Sequence, residues 1–290
     1  MPTRHRVLAN GLEHSVLEWA AGGATSAAVA TVVLIHGFAD AGGTWDLVAP
    51  TLAKAGLRVL APDMRGFGEG ARVPPGAYYH FVDYVFDLAD LVDALAPDSP
   101  IGLVGHSMGG TITTLFAGTF PERVKRLVLI EGVGPPNNPW EAGPLRMRGW
   151  IEQVRNARVR GERRITFSKE EALLRLAGNH PGVDPVVLEH RLPHLSKAAG
   201  EGRLAWLLDP LHRTTSPMPF FGKSFVEFAK KVTAPTLFVS GGPKGYHPPD
   251  EAERLQGFAH LTSVELPEAG HMVHWTAPAT LVELLLAHLA

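Results

Sequence analysis

The 290-residue chain contains no cysteine, which excludes disulfide bonds, thiolate metal sites and a cysteine nucleophile. A formal net charge of only −2 argues against an electrostatic nucleic-acid surface. No apolar run approaches the roughly 20 residues of a membrane-spanning helix. No apolar segment of signal-peptide length follows the basic N-terminus either. We therefore expect a cytoplasmic protein with no membrane span and no nucleic-acid partner.

Up to Ile130, strand-like apolar runs alternate with helical patterns at residues 45–55, 81–96 and 111–120. This alternation is typical of a doubly wound, mostly parallel sheet covered by helices on both faces. From residue 135 to 231 no strand pattern is convincing, and helical patterns cover 145–160, 169–177, 185–192 and 221–231. We predict an α/β core of residues 1–134 and 232–290 and an all-helical cap of residues 135–231. The alternative is a set of peripheral helices with no role in a site.

If the segment is a cap, its large apolar side chains are candidates for lining a substrate pocket. Pocket walls of this composition suit apolar or aromatic substrates. The candidates are Trp140, Met147, Trp150, Trp206, Met218, Phe220 and Phe221.

The sequence Gly105-His106-Ser107-Met108-Gly109 follows a short apolar strand pattern and precedes a stretch without Gly or Pro. A Gly-x-Ser-x-Gly between strand and helix is typical of a nucleophile elbow. The glycines let strand and helix approach closely where a Cβ would clash. Ser107 is therefore the candidate nucleophile, and the alternative is a serine that caps an ordinary helix.

A serine nucleophile needs a base. His271 lies in a loop just after the last predicted strand, where its imidazole can reach over the edge of the sheet. We prefer it to His274, which we expect to pack at the start of the last helix.

A carboxylate that orients the imidazole should follow a strand between the serine and the histidine. Glu131 comes directly after the strand pattern that ends at Ile130. Asp250 lies well past the next strand, at a position that suits a helix N-cap. We take Glu131 as the acid and Asp250 as the alternative, while a solvent-facing Glu131 would have no such role.

The most strand-like run, residues 31–35, ends in His36-Gly37-Phe38. Gly37 permits a sharp turn that would aim the backbone N–H of Phe38 at the serine. The N–H of Met108, directly after the nucleophile, would be the second donor of an oxyanion hole.

Taken in chain order, these motifs resemble the α/β-hydrolase fold superfamily over nearly the whole chain. The resemblance implies an eight-stranded sheet and places the chain in the serine-nucleophile, esterase-like branch with a helical cap. Related dehalogenases and epoxide hydrolases attack with an aspartate instead. Most members carry their acid near Lys244-Gly245, where this chain has none, but some dehalogenases and marine luciferases carry it one strand after the nucleophile, as Glu131 would be.

The resemblance implies a carboxylic ester hydrolase that acts on small to medium apolar or aromatic esters through an acyl-enzyme, without cofactor or metal. The alternatives are C–C bond hydrolysis, a lactonase or amidase on the same triad, or a non-catalytic ligand-binding protein. His190 and His194 stand four residues apart, as zinc ligands on a helix do. Because Pro193 lies between them and no glutamate base accompanies them, we expect no metalloprotease site.

Overall fold

A computed structural model describes residues 1–22, 30–160 and 166–289. Its strands are β1 (Thr3–Ala9), β2 (Leu12–Trp19), β3 (Thr31–Ile35), β4 (Arg58–Asp63), β5 (Ile101–His106), β6 (Val124–Ile130), β7 (Thr166–Phe167), β8 (Ser196–Ala198), β9 (Leu204–Trp206), β10 (Thr236–Ser240) and β11 (Leu261–Glu265). Its helices are α1 (Ala49–Lys54), α2 (Phe81–Leu95), α3 (Met108–Thr119), α4 (Ala142–Arg160), α5 (Lys169–Asn179), α6 (Pro185–Leu195), α7 (Gly222–Ala229), α8 (Glu251–Leu255), α9 (Val273–Thr276) and α10 (Pro278–Leu289). Within these ranges, no helix combines the length and apolarity needed to cross a bilayer.

Eight strands form one sheet in the order β1-β2-β4-β3-β5-β6-β10-β11. The strands from β4 to β11 pair in parallel, while β2 pairs antiparallel with both β1 and β4. The prediction of a doubly wound, mostly parallel eight-stranded sheet is thus confirmed.

Apolar helices cover both faces of this sheet because its central strands are apolar on both faces. Side chains of α2, α3 and α7 enter one core cluster, and side chains of α1 and α10 enter the other. Each fully buried Leu, Ile or Phe contributes about 1.5–3 kcal/mol to folding. The carboxyl ends of β3, β5, β6 and β10 therefore meet at one well-supported edge, which is where α/β sheets bind ligands.

The predicted cap is not all-helical, which corrects the sequence-based expectation. Between α4 and α7, strands β7, β9 and β8 form a small antiparallel sheet. Phe167 of β7 is fully buried, and its ring lies 4.6 Å from that of Trp206 in β9. Strands of two or three residues are too short to show the alternation by which a strand is found in a sequence.

Two helices of the same segment differ from the sequence analysis. Helix α7, assigned there to the cap, packs against α3 and α8, so its contacts lie with the core layer. Helix α6 continues through Pro193 to Leu195 rather than stopping before it. Proline removes only the hydrogen bond to the carbonyl of Glu189, and both residues lie on the exposed side of the last turn, where water can bind that carbonyl.

Candidate active site

The turn between β5 and α3 holds Ser107 in a strained backbone conformation, with φ 51° and ψ −115°. Non-glycine residues rarely adopt a positive φ, and such strain is found at functional sites. A Cβ on Gly105 would lie 2.4 Å from the carbonyl oxygen of Gly109, and one on Gly109 would lie 2.3 Å from that of Ile35. Both glycines are therefore required for the close approach, and the predicted strand–turn–helix arrangement around the serine is confirmed.

The imidazole of His271 lies beside this serine. Its Nε2 is 3.0 Å from Ser107 Oγ, and its Nδ1 is 3.2 Å from an oxygen of Glu131. The loop that carries His271 is tied to the end of β10, since the N–H of Gly270 donates to the carbonyl of Gly241 at 2.9 Å. The structure thus brings the predicted nucleophile, base and acid together in one hydrogen-bonded line.

The carboxylate of Glu131 is fully buried, whereas the His271 side chain is 33% exposed. One oxygen of the Glu131 carboxylate accepts a hydrogen bond from the N–H of Gly241, and the other accepts one from the N–H of Tyr246. The residue itself has a positive φ of 52°, directly after β6. Hydrogen bonds from two backbone donors are what a buried carboxylate needs, and they hold this one facing the imidazole.

The alternative acid, Asp250, lies elsewhere and has another partner. It is the N-cap residue of α8, and its carboxylate pairs with the buried guanidinium of Arg254 at 2.8 Å. The same guanidinium donates to the carbonyls of residues 133, 134 and 135. Asp250 therefore helps to hold the chain that follows Glu131, and the structure does not bring it to His271.

The turn after β3 brings Phe38 next to the serine. A Cβ on Gly37 would lie 2.7 Å from the Nδ1 of the buried His106 and 3.2 Å from Ser107 Cβ, so glycine allows this close approach. The buried His36 fixes the turn, because its Nε2 accepts the N–H of Met64 at 3.0 Å and its Nδ1–H donates to the Gly37 carbonyl at 2.7 Å. Within the described residues no acceptor is found for the N–H of Phe38 or of Met108, so both stay free for an oxyanion.

A buried polar cluster supports the line of three residues from behind. His106 Nε2 donates to the backbone carbonyl of His271 at 2.8 Å. His274, which we expected to pack beside the last helix, pairs with Asp40 at 3.0 Å under the ring of Trp45. Burial lowers the pKa of both His106 and His274, so these imidazoles stay neutral at neutral pH. The carboxylate of Asp40 keeps a pKa below its usual range because, although burial opposes it, the hydrogen bond from His274 favours the charged form.

A cavity of about 370 Å³ opens over Ser107 and His271. Its aromatic lining comes from Phe38, Tyr78, Tyr79, Phe81, Tyr84 and Tyr246. None of the seven side chains proposed from the sequence is among its lining residues in the described part of the chain. Those candidates were chosen by composition, whereas four of the six aromatic lining residues come from the start of α2 and the segment just before it, whose approach to the serine depends on tertiary packing.

His212 is a pocket residue that no motif or spacing in the sequence singles out. It follows β9 in a 3₁₀ helix, Pro210–Arg213, and its ring stacks on Phe67 at 4.1 Å and on Tyr79 at 3.9 Å. Burial lowers the pKa of this imidazole to about 4. It therefore offers the pocket a neutral polar edge rather than a cation.

Two clusters in the described residues have the side chains to hold a metal ion. One is the buried set Asp40, His106 and His274, and the other is the more exposed set Asp46, His190 and His194. In the first set, His274 is paired with Asp40 and His106 donates to the carbonyl of His271, and all three side chains are buried. Only the second set is reachable from water.

Residues 30–278 match the model of the α/β-hydrolase fold family. The chain therefore belongs to that family.

Among curated relatives, a 2-hydroxy-6-oxo-2,4-heptadienoate hydrolase of Pseudomonas putida is 42% identical over 131 residues, which are 44% of each chain. An epoxide hydrolase of Caballeronia sordidicola is 26% identical over 98% of this chain and 92% of its own. The chain spans only 28–45% of the length of three of the curated relatives that it matches.

Solved structures of the same architecture include a thioesterase domain from the curacin biosynthetic pathway, with a TM-score of 0.79 and 24% identity over 99% of each chain. An esterase from Thermogutta terrifontis has a TM-score of 0.67 and 22% identity, and the match covers 98% of this chain and 97% of that one. At these identities the likeness establishes the fold alone.

Proposed function

We propose that the protein is a serine hydrolase of carboxylic esters that works through an acyl-enzyme. The carrying observation is the line from Ser107 through His271 to Glu131, with distances of 3.0 and 3.2 Å, at the floor of an aromatic cavity. Such a line converts a weakly nucleophilic hydroxyl into an attacking group. The family and its hydrolase relatives support the same class of reaction.

In the first step, Ser107 Oγ attacks the ester carbonyl while His271 Nε2 accepts its proton. Glu131 keeps the Nδ1–H tautomer in place and stabilises the imidazolium that forms. The N–H groups of Phe38 and Met108 stabilise the negative charge on the oxygen of the tetrahedral intermediate by hydrogen bonding. Loss of one such donor typically lowers kcat about 10²–10³-fold. His271 then gives its proton to the departing alcohol, and in the second half-reaction it activates water against the acyl-enzyme.

The shape and charge of the cavity favour an uncharged ester of small to medium size with an apolar or aromatic group. Its volume of about 370 Å³ lies at the small end of ligand pockets. The lining side chains in the described part of the chain include no lysine or arginine. A carboxylate in the substrate would therefore be desolvated without a cationic partner, which is costly.

Covalent labelling with a fluorophosphonate tests the activated serine directly. We expect stoichiometric labelling of the wild-type chain and none of Ser107→Ala. A Thr114→Ser variant, which changes a buried residue of α3 that is not among the cavity's lining residues, is the control and should label normally. Absence of labelling in the folded wild-type protein would favour a non-catalytic binding protein.

Hydrolysis of a C–C bond is the second candidate, because the relative with 42% identity over 131 residues is named for that reaction. Turnover of p-nitrophenyl acetate, butyrate and benzoate is compared with that of a 2-hydroxy-6-oxo-2,4-dienoate. We expect kcat/KM for at least one ester to exceed that for the dienoate by about 100-fold or more, corresponding to about 2.7 kcal/mol of transition-state binding. A dienoate preference would replace the ester proposal while leaving the serine mechanism intact.

A further inference from the structure

Three metal-binding side chains meet where the segment between β6 and β10 touches the core. Asp46 belongs to the 3₁₀ helix Gly42–Leu47, and His190 and His194 belong to α6. The Nε2 atoms of the two imidazoles lie 2.9 and 3.0 Å from the same oxygen of Asp46, Oδ2. The three ligand atoms lie within 4.8 Å of one another.

The convergence follows from helix geometry. Residues four apart in sequence lie on the same face of an α-helix, one turn above the other. Helix α6 stays regular through Pro193, so His190 and His194 face Asp46 together. The sequence analysis expects no metalloprotease site here because Pro193 lies between the two histidines and no glutamate base accompanies them. The continuous helix removes the first of these two grounds, and the second does not bear on a site that only binds a metal.

We propose that Asp46, His190 and His194 form a zinc site that joins α6 to the core. Two imidazoles and one carboxylate, with water as the fourth ligand, are a common tetrahedral zinc set. Oxygen and imidazole ligands of this kind favour zinc and its neighbours nickel and copper over magnesium or calcium. A bound zinc ion would take the place of the protons on the two Nε2 atoms that otherwise point at Oδ2. Each neutral ring would then carry its proton on Nδ1.

The site is open to solvent on one side and supported on the other. The His190 side chain is 50% exposed, and those of Asp46 and His194 are 27% and 29% exposed, so an ion can enter without unfolding. The fully buried Arg191 pairs with the second oxygen of Asp46 at 2.6 Å and donates to the carbonyl of Thr44 at 2.7 Å. Arg191 thus orients the carboxylate so that Oδ2 faces the two imidazoles. Residues that contact metal ligands commonly orient them in this way.

Backbone contacts fix one imidazole ring against the core. A Cβ on Gly43 would lie 2.6 Å from His194 Nδ1, so glycine leaves the space in which that ring sits. Residues 42–47 follow in sequence the turn that carries Phe38, a residue that lines the cavity. A bound zinc ion would therefore tie α6 to the part of the core that continues from the oxyanion turn.

Zinc binding to the whole chain, prepared without a histidine tag and stripped with chelator, provides the test. Competition with a chromophoric zinc chelator gives the affinity, and cobalt in place of zinc gives a visible spectrum that reports the coordination geometry. We expect one zinc per chain and a tetrahedral cobalt spectrum. Loss of a residue that only contacts a metal ligand weakens metal binding about 10–100-fold. Because His190 and His194 are themselves the proposed ligands, His190→Gln and His194→Gln should each weaken zinc binding at least tenfold.

His260→Gln is the matched control, because His260 is an exposed histidine outside the cluster and its substitution should leave zinc affinity unchanged. Asp46→Asn is secondary, since it also removes the partner of Arg191, and its thermal unfolding is recorded beside its affinity. The proposal is overturned if the wild-type chain binds no zinc at micromolar concentrations. It is equally overturned if both histidine variants, with unchanged melting temperatures, bind zinc as tightly as His260→Gln; the cluster is then a hydrogen-bonded contact only.

Discussion

Replacement of Glu131 by glutamine tests the least usual part of the candidate site. The carboxylate lies 3.2 Å from His271 Nδ1. A charge pair at that distance is worth about 5 kcal/mol at an effective dielectric of roughly 20. Because the His271 side chain is 33% exposed, solvent screens part of this, and we take about 3–4 kcal/mol as lost from the imidazolium in the transition state. The expected fall in kcat is therefore about 10²–10³-fold.

Glutamine at this position also costs stability. Its carbonyl oxygen can accept from Tyr246 and His271 in place of one carboxylate oxygen, but its amide nitrogen then faces the N–H of Gly241. Two donors facing each other leave a buried N–H without an acceptor, which costs about 1–3 kcal/mol. Thermal unfolding of Glu131→Gln must accompany the kinetics, so that lost activity is measured on folded enzyme.

Asp250→Asn is the matched substitution, since it also removes one negative charge from a partly buried pair, with Arg254. It should lower the melting temperature but leave kcat for a p-nitrophenyl ester within about threefold, as expected for a residue that makes no contact in the transition state. Equal losses of kcat in the two variants, or an unchanged kcat in Glu131→Gln, would refute the assignment of the acid.

Two further predictions concern residues around the site. Gly245→Ala would place a Cβ 2.5 Å from a carboxylate oxygen of Glu131, although the backbone φ of −79° at this position suits alanine. We therefore expect kcat to fall about 100-fold because the acid is misplaced. The control is Gly143→Ala, which has open space around the added Cβ and should keep the wild-type kcat. His212 has a pKa of about 4 when folded and of roughly 6.5 when unfolded, so between these values only the unfolded chain binds the proton and the free energy of unfolding falls with falling pH. The free energy of unfolding is measured by urea titration at pH 7 and pH 5. Between these two pH values it should fall by about 2 kcal/mol less in His212→Phe than in the wild-type chain. An identical fall in both proteins would contradict the assignment of a neutral, buried imidazole.

The architecture can be predicted from the sequence because the patterns that indicate strands and helices lie within short, continuous segments of the chain. Alternating apolar runs and helical patterns predict the parallel sheet, and Ser107, Glu131 and His271 each stand directly after a strand or in the loop that follows one. Since parallel strands bring their carboxyl ends to one edge, residues with these positions converge whatever the details of packing. Their hydrogen-bonded geometry in the structure follows from that rule.

Other features depend on contacts that no local pattern records. The small sheet of β7, β9 and β8 consists of strands too short for periodicity to show. Most of the aromatic lining of the cavity comes from residues 78–84, which the sequence assigns only to a helix and the loop before it. His212 enters the cavity because its ring stacks on Phe67, nearly 150 residues earlier in the chain. Composition could name aromatic candidates, but it could not decide which segment would face the serine.

The position of the acid shows how one geometry can be reached from either of two neighbouring strands. Strands β6 and β10 pair in parallel, with Val239 beside Ile130, so the residues after both strands share one edge of the sheet. The end of β10 supplies backbone N–H donors and the bare Cα of Gly245, while the end of β6 supplies the carboxylate that fills the space. The longer side chain of glutamate and its positive φ bring the oxygens across the gap between strands. An aspartate placed at Gly245 in a Glu131→Ala background, where the shortened side chain vacates the space that a Cβ at residue 245 would otherwise meet, should therefore restore part of the lost kcat, because the imidazole needs a carboxylate at that point in space and not at that point in the sequence.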